Sequence, residues 1–287
     1  LSVTTGGPNT VVGSLAGDAI TIGTYNVVVG DNALTTETIG DRTTAIGSAC
    51  LYSQLSNSNN EDTGNTAVGN AAGYYNVTGT NNTYIGRAAG QGASGQSNSN
   101  NTAVGKGALL AVTDGSDNVA IGNGALDALT SGGRNIGIGS TAGSAMTNNS
   151  YNTVIGYGAF ATANTGEESN TVIGYGAGDG IDHANSDGNV LVGHGVGSGG
   201  GAAMASCVAI GQYAMNSTAA NAQTGTVAIG QNALTALTSG PANTAVGYLA
   251  LQTNVDGGYN TAVGYEALEV FEADASTHGS NTAVGYR

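Results

Sequence analysis

Charge is scarce in this sequence of 287 residues, and its balance is uneven. Asp, Glu, Lys and Arg make up only 8% of the residues, and 19 acidic residues against 5 basic ones leave a formal net charge of −14. Nucleic acids and anionic membrane surfaces are bound by clustered Lys and Arg side chains, so the composition argues against both partners. Because the acidic residues are dispersed along the chain, we interpret their charge as a source of solubility and self-repulsion.

Long apolar runs and closely spaced cysteines are also missing. No segment approaches the ~18 apolar residues of a membrane-spanning helix, and no basic-then-apolar leader opens the sequence, so we expect no membrane insertion. Cys50 and Cys207 are too few and too far apart for a disulfide framework, and we expect both to be small buried hydrophobic residues. Tryptophan is absent, but 40% of the residues are apolar, so the chain is not of the disordered type.

Glycine is abundant, with 50 residues, and it marks an internal repeat. Sixteen glycines, which we call the anchor glycines, each follow a Val or Ile at intervals of 17 to 22 residues. The commonest interval is 17, so this is the base period and the longer intervals contain insertions. The anchor glycines are Gly13, Gly30, Gly47, Gly69, Gly86, Gly105, Gly122, Gly139, Gly156, Gly174, Gly193, Gly211, Gly230, Gly247, Gly264 and Gly285.

Each repeat has the same residue types at the same distances from its anchor glycine. Asn stands four residues before the glycine in thirteen of sixteen repeats, and these residues form the Asn column. A β-branched residue stands three residues before it, and Val or Ile stands directly before it, in all sixteen repeats; these are the β-branched columns. Between them lies the small-residue column, usually Ala, with Tyr84 and Leu191 among its exceptions. A second apolar pair, Ala-Leu or Ala-Gly, begins three residues after most anchor glycines.

These columns predict two short strands in each repeat. β-branched and small residues alternate before the glycine, as in a strand, and the Ala-Leu or Ala-Gly pair predicts a second, shorter strand. A unit of this size buries too little surface to fold alone and must stack on its neighbours, and no window has the apolar spacing of a helix. The sequence therefore predicts an all-β fold, a parallel β-solenoid (β-roll) of about sixteen 17-residue coils in a single repeat array over residues 1–287.

The columns also predict which side chains stack along the solenoid. Because an Asn amide both donates and accepts hydrogen bonds, identical Asn residues on successive coils can form a ladder along the axis. The predicted structural ladder contains Asn65, Asn101, Asn243 and Asn260, with Val104, Val246 and Val263 and with Gly105, Gly247 and Gly264 in the neighbouring columns.

Both faces of the first strand are apolar, which is typical of a strand covered on both sides. One face can look into the coil, and the small-residue column would allow close approach between chains around a shared axis. We therefore expect an intertwined homotrimer, with a single-chain solenoid as the alternative.

The pattern Asn-Thr-Ala-Val/Ile-Gly, as in "NTAVGYEAL" at residues 260–268, resembles repeats of known fibrous proteins. It is similar to the left-handed β-rolls in the heads of trimeric autotransporter adhesins (YadA-like), although the spacers are longer and less even here. It is also similar to the long repeat arrays of phage tail fibres and related virion structural proteins. The resemblance covers residues 9–287 and implies a fibre architecture, and we expect the sequence to be part of a longer fibre.

No catalytic set or cofactor site stands out, so we expect a protein that is not an enzyme. "VGKGAL" around Lys106 lacks the Ser or Thr of a phosphate-binding loop. His183, His194 and His278 lie in different repeats, which argues against a metal cluster, although scattered calcium sites at residues 114–117 or 186–188 stay open.

Acidic residues offer the remaining enzymatic alternative, a glycan depolymerase with two facing carboxylates. We interpret Glu167 and Glu168 as a solvated loop. A second acidic group falls in the last insertion and contains Glu266, Glu269, Glu272 and Asp274.

Directly after the anchor glycine lies a variable, exposed column, which we call the tyrosine column. Tyr157, Tyr175, Tyr248 and Tyr265 in this column predict either a ring ladder or a ligand-facing stripe. The insertion Ser56–Gly64 and the one after Gly264 predict protruding loops, where recognition usually resides.

We conclude that the sequence favours a structural fibre segment, in a phage tail fibre or a similar virion appendage, that acts as a rigid spacer in host attachment. The alternative is a surface adhesin head that binds a glycan or protein through its side loops. The expected partners are further copies of the chain, other fibre or virion proteins, and a host-surface glycan or protein. The expected location is extracellular, on the virion or on a bacterial cell surface.

Overall fold

A computed structural model of the chain describes residues 6–58, 61–199, 203–217, 222–271 and 279–287. The chain divides into two compact units, Leu1–Thr141 and Ala142–Arg287, and each is treated on its own. Both units are parallel β-solenoids, and no helix occurs in the ranges just given. The predicted fold class is therefore confirmed.

The first unit contains eight strands of three residues, one for each coil. Each strand pairs in parallel with the next, so that equivalent columns meet: Thr44 is opposite Thr66, Ala45 opposite Ala67 and Ile46 opposite Val68. The strands are β1 (Thr10–Val12), β2 (Val27–Val29), β3 (Thr44–Ile46), β4 (Thr66–Val68), β5 (Thr83–Ile85), β6 (Thr102–Val104), β7 (Val119–Ile121) and β8 (Ile136–Ile138).

The second unit repeats this arrangement and adds a short second ladder. Its coil strands are β9 (Thr153–Ile155), β10 (Thr171–Ile173), β11 (Val190–Val192), β13 (Val208–Ile210), β15 (Val227–Ile229), β16 (Thr244–Val246), β17 (Thr261–Val263) and β18 (Thr282–Val284). Two further strands, β12 (Met204–Ala205) and β14 (Gln223–Thr224), pair with each other in parallel.

The predicted second strand in each repeat is wrong, because the Ala-Leu pair lies in a turn. Leu51 and Leu109 adopt left-handed backbone angles, with φ of 46° and 50°. Residues at the same position in the other coils also have positive φ, whether they are Leu, Gly, Phe or Met. A left-handed residue cannot continue a strand, and it turns the chain back across the coil.

The small-residue column lines the inside of the coil, so the prediction that it faces a partner chain is wrong. Ala45 and Ala67 are fully buried, whereas the β-branched Ile46 and Ile85 are 37% and 41% exposed. In coils with a leucine in the turn, that leucine fills the interior and leaves little room for a large strand residue. At Gly137, for example, an added Cβ would lie 2.6 Å from Cγ of Leu126.

Core residues on the strand and on the turn compensate for each other in size. Tyr84 occupies the small-residue column and is fully buried, and glycines stand where the turn leucines would otherwise meet its ring. A Cβ on Gly90 would lie 2.2 Å from Cε1 of Tyr84, and one on Gly73 would lie 2.8 Å from Cδ2. The hydroxyl of Tyr84 donates to Oδ1 of Asn98, and burial raises the pKa of Tyr84.

Candidate functional site

The Asn column forms a hydrogen-bonded ladder inside each unit. The backbone N–H of Asn118 donates to Oδ1 of Asn101 at 2.9 Å, and its Nδ2 donates to the same oxygen at 3.1 Å. A second donation from Nδ2 of Asn118 reaches the carbonyl of Gly132 at 2.9 Å. The side chain of Asn118 thus connects neighbouring coils, and its hydrogen bonds satisfy polar groups that are buried away from water.

The four Asn residues predicted for the structural ladder are all buried in this column. Oδ1 of Asn65 accepts the backbone N–H of Asn82 at 2.8 Å, and Asn101 donates its N–H to Oδ1 of Asn82 at 2.9 Å. In the second unit, the backbone N–H and Nδ2 of Asn260 donate to Oδ1 of Asn243 at 3.0 and 3.1 Å.

The anchor glycines stack directly on one another. Gly105, Gly247 and Gly264 have φ of 135°, 140° and 138°, a region that side chains disfavour. A Cβ on these glycines would lie 2.4, 2.1 and 2.1 Å from the carbonyl oxygen of the next anchor glycine. Glycine is therefore required here both by backbone angle and by close approach.

The β-branched columns form the outer face of each unit. Val104, Val246 and Val263 lie on this face and are half-buried. The two columns contain only Thr, Val and Ile, so the face has no charge over its eight strands. With a strand spacing of about 4.8 Å and a rise of about 3.3 Å per residue, each unit's outer face measures roughly 38 Å by 10 Å, or about 400 Å².

The tyrosine column forms two exposed stacks of rings in the second unit. Tyr157 and Tyr175 stack with ring centroids 5.5 Å apart, and Tyr248 and Tyr265 with centroids 5.1 Å apart. Tyr157 and Tyr175 are each 59% exposed. Because each inner ring is flanked by a neighbour along the axis, the stacks present ring edges sideways.

The stack of Tyr157 and Tyr175 also contains His194, which the sequence did not predict as a member. The His194 ring stacks on Tyr175, with centroids 5.1 Å apart and planes 14° apart. Its position in the tyrosine column, directly after Gly193, was the available signal.

Among the described residues, two glutamates are fully buried inside the coils, and their surroundings differ. Oε1 of Glu37 accepts the backbone N–H groups of Thr38, Ile39 and Gly40 at 2.8 to 3.1 Å, and Oε2 accepts the Ser56 hydroxyl at 3.0 Å. This carboxylate closes a turn that would otherwise leave several amides unpaired.

Glu167 is the second buried glutamate, so its prediction as part of a solvated loop is wrong; its neighbour Glu168 is exposed. Oε2 of Glu167 accepts Nδ2 of Asn149 at 2.6 Å, while Oε1 has no hydrogen-bond partner in the described part of the chain. Burial is the main reason why the pKa of Glu167 is raised. Its position is occupied by glycine in several other coils.

Residues of the two candidate calcium sites, at 114–117 and 186–188, form hydrogen bonds within the protein. Asp114 accepts the Thr113 hydroxyl at 3.0 Å, and Asp117 accepts Nδ2 of Asn100 at 3.0 Å. The Ser186 hydroxyl accepts the backbone N–H of Met204 at 3.0 Å. Over the ranges that the structure describes, no three His, Cys, Asp or Glu side chains come together as metal ligands would.

The last acidic group lies only partly within the described residues. Glu266 pairs with Arg287 at 2.7 Å, and with Glu269 it lines a groove of about 420 Å³. Glu272, Asp274 and His278 lie outside the described residues, as do Asn59 and Asn60 in the insertion at Ser56–Gly64.

Cys50 and Cys207 are both buried and unpaired, as expected. Burial raises the pKa of the Cys50 thiol to about 12 and also raises that of Cys207. Both therefore behave as small core residues rather than as nucleophiles.

The described residues contain no helix that could span a membrane. The chain matches no protein-family model and no curated protein sequence.

Proposed function

We propose that this chain is a rigid spacer segment of a homotrimeric fibre, in a phage tail fibre or a similar virion appendage that attaches to a host. The observation that carries the proposal is the outer face of each unit, which is uncharged, regular and only half-buried. Its area of about 400 Å² is in the range of the largest exposed patches on soluble monomers, which are often functional.

Three copies around a shared axis would cover this face in every chain with a closed cyclic contact. Ile121 is 39% exposed and Ile210 37%, so a partner has apolar surface left to bury on both units. Charged residues lie in other columns, so the contact would require no buried ion pair. The threefold number comes from the resemblance of the repeats to trimeric fibres.

Rigidity within each unit follows from three parallel ladders. Every coil strand is hydrogen-bonded to the next, the Asn side chains connect neighbouring coils, and the anchor glycines stack without space between them. A coil cannot tilt without breaking contacts in all three columns. Such a segment suits a spacer that holds a binding tip away from a particle, in an extracellular location.

The alternative is a surface adhesin head that binds a glycan or protein directly. The exposed ring stack at Tyr157, Tyr175 and His194 favours this function, because ring edges and hydroxyls can contact sugars. In this case the fibre would carry the binding site along its side.

Immunogold labelling with an antibody raised against the full chain separates the two functions. Gold on a particle appendage, in preparations of virions from the source culture, would support the fibre spacer. Gold on the cell envelope of cultures that release no particles would overturn it in favour of the adhesin.

A further inference from the structure

A groove in the first unit brings together two basic side chains of a strongly acidic protein. Arg87 and Lys106 stand in the tyrosine column of neighbouring coils, and the N–H of Gly107 donates to the carbonyl of Arg87 at 3.0 Å. One solenoid step, about 4.8 Å, therefore separates the two backbones. Both side chains are exposed.

These two residues differ from the other basic residues of the chain. Of the 5 Lys and Arg residues, Arg42, Arg134 and Arg287 each lie within 4.0 Å of a carboxylate. Arg87 and Lys106 have no carboxylate within that distance in the described ranges. Two like charges side by side repel each other, and a shared anion would relieve this repulsion.

The groove has a volume of about 380 Å³. It is lined by Arg87, Ala88 and Gln91 of one coil and by Lys106, Gly107 and Leu110 of the next. A Cβ on Gly107 would meet nothing within 4 Å, so the groove is open at this residue.

Gln91 and Leu110 add an amide donor and an apolar surface to the groove. Leu110 is 38% exposed, and its carbonyl accepts the N–H of Gly92, the residue after Gln91, at 3.0 Å, so a backbone contact joins the two coils here. In the next coil, the position equivalent to Leu110 is occupied by Asp127. Because Asp127 is acidic, the positive potential is limited to the two coils of Arg87 and Lys106.

We propose that this groove binds an anionic sugar unit of an acidic polysaccharide. The guanidinium of Arg87 would hold the carboxylate or phosphate with paired hydrogen bonds, and Lys106 would add a point charge. Gln91 would donate to a sugar oxygen, and the ring would lie against Leu110 and the small residues Ala88 and Gly107. Because all of these residues come from one chain, the site does not depend on the fibre function proposed above.

Isothermal titration of the full chain at 50 mM salt tests the site with four probes: trigalacturonic acid, glucose 6-phosphate, neutral maltotriose and inorganic phosphate. We expect binding of trigalacturonic acid or glucose 6-phosphate, and the tighter of the two identifies the anionic group. Arg87→Gln and Lys106→Gln should each weaken it about tenfold, because each removes a charge-assisted contact. Arg134→Gln, which removes an exposed basic residue elsewhere, should leave the affinity unchanged.

Binding of maltotriose as tight as that of the charged sugars would overturn the proposal, and so would an affinity that the Arg87→Gln/Lys106→Gln double variant leaves unchanged. If glucose 6-phosphate is the tighter of the two charged sugars, equally tight binding of inorganic phosphate would also overturn it. Absence of binding at millimolar sugar would overturn it as well. Thermal midpoints of the variants within ~2 °C of the parent would show that the surface changes leave the fold intact.

Discussion

The carbonyl oxygen of Gly174 lies 2.1 Å from the point where a Cβ atom on Gly156 would sit. The two glycines occupy the same position in neighbouring coils, and Gly156 has φ of 141°. The coils are therefore stacked at a distance that no side chain at this position allows. Two residues later in the same coil, Gly158 also has a positive φ, of 60°, but nothing lies within 4 Å of its added Cβ.

Gly156→Ala and Gly158→Ala should consequently differ strongly. The first variant places a methyl group on the backbone of the next coil, and we expect it to lose at least ~3 kcal/mol of unfolding free energy. For the second we expect a loss of no more than ~1 kcal/mol, because Ala49 and Ala88 adopt the same left-handed angle at this position. Urea denaturation followed by circular dichroism measures both, and equal losses would contradict the stacking.

Asn118→Ala removes a rung from the Asn ladder. The side chain of Asn118 binds Asn101 and Gly132 and accepts from Asn135, so its loss leaves several buried groups unpaired. We expect a loss of about 3 kcal/mol, at the upper end of the range for a buried group left unsatisfied. Asn123→Ala, five residues along the same coil and exposed, should change stability by less than ~0.5 kcal/mol. Comparable losses in the two variants would mean that the ladder adds no stability.

The two buried glutamates should respond in opposite directions to loss of their charge. In Glu37→Gln an NH₂ group would face the backbone N–H of Ser56, which now donates to Oε2 at 3.2 Å, so we expect a loss of about 2 kcal/mol. Glu167→Gln removes a buried charge with an unpaired oxygen, and we expect a gain of about 1 kcal/mol at pH 7.

The pH dependence of the Glu167 effect has a definite sign. The folded-state pKa of Glu167 is raised above its usual 4.5, so protonation favours folding. This contribution is fully present below pH 4.5 and is lost as the pH rises through the raised pKa. The advantage of Glu167→Gln over the parent should therefore be large at pH 7 and small at pH 4. Chemical denaturation at both pH values would measure it, and an advantage that grows toward acid would contradict the burial argument.

Tyr84 and Gly90 should show strong coupling in a double-mutant cycle. Tyr84→Ala leaves a cavity, and we expect it to lower the free energy of unfolding by about 4 kcal/mol, as is usual when a large aromatic residue is truncated. Gly90→Leu alone drives its side chain into the tyrosine ring. The double variant recreates the Ala103 and Leu109 pair of the next coil, and we expect it to be at least ~2 kcal/mol more stable than additivity allows. Additive losses would show that strand and turn residues do not share one space.

Much of the fold could be predicted from the sequence because its columns are nearly invariant. The strand before each anchor glycine, the parallel stacking and the position of the Asn column follow from the period and from residue chemistry. The direction in which the strand faces does not, because Ala67 and Val68 are both apolar and the three-residue strand has no charged residue to mark the outside.

Two further features depend on information that single positions do not contain. Leucine disfavours left-handed angles, so the turn at Leu51 is visible only in the alternation of Leu and Gly at its position. Glu167 lies in a polar spacer and looks solvated, and its burial depends on the stacking of the coils. The Arg87 and Lys106 pair likewise depends on this stacking, because the two residues are 19 positions apart in the sequence.

A charged substitution on the outer face tests whether this face is buried between chains. Ile121→Lys places an ammonium group on this face, and in a trimer it would bring three such groups toward a desolvated interface. We expect the variant to be a folded monomer with an unchanged β spectrum. Asn123→Lys, in the exposed tyrosine column of the same coil, should leave the assembly intact.

The mass of the full chain in solution tests the homotrimer most directly, by size-exclusion chromatography with multi-angle light scattering. The account predicts a species of about 83 kDa, three times the chain mass of 27.8 kDa, with the circular dichroism spectrum of a β protein. A folded species of 27.8 kDa, or one of twice that mass, would contradict it.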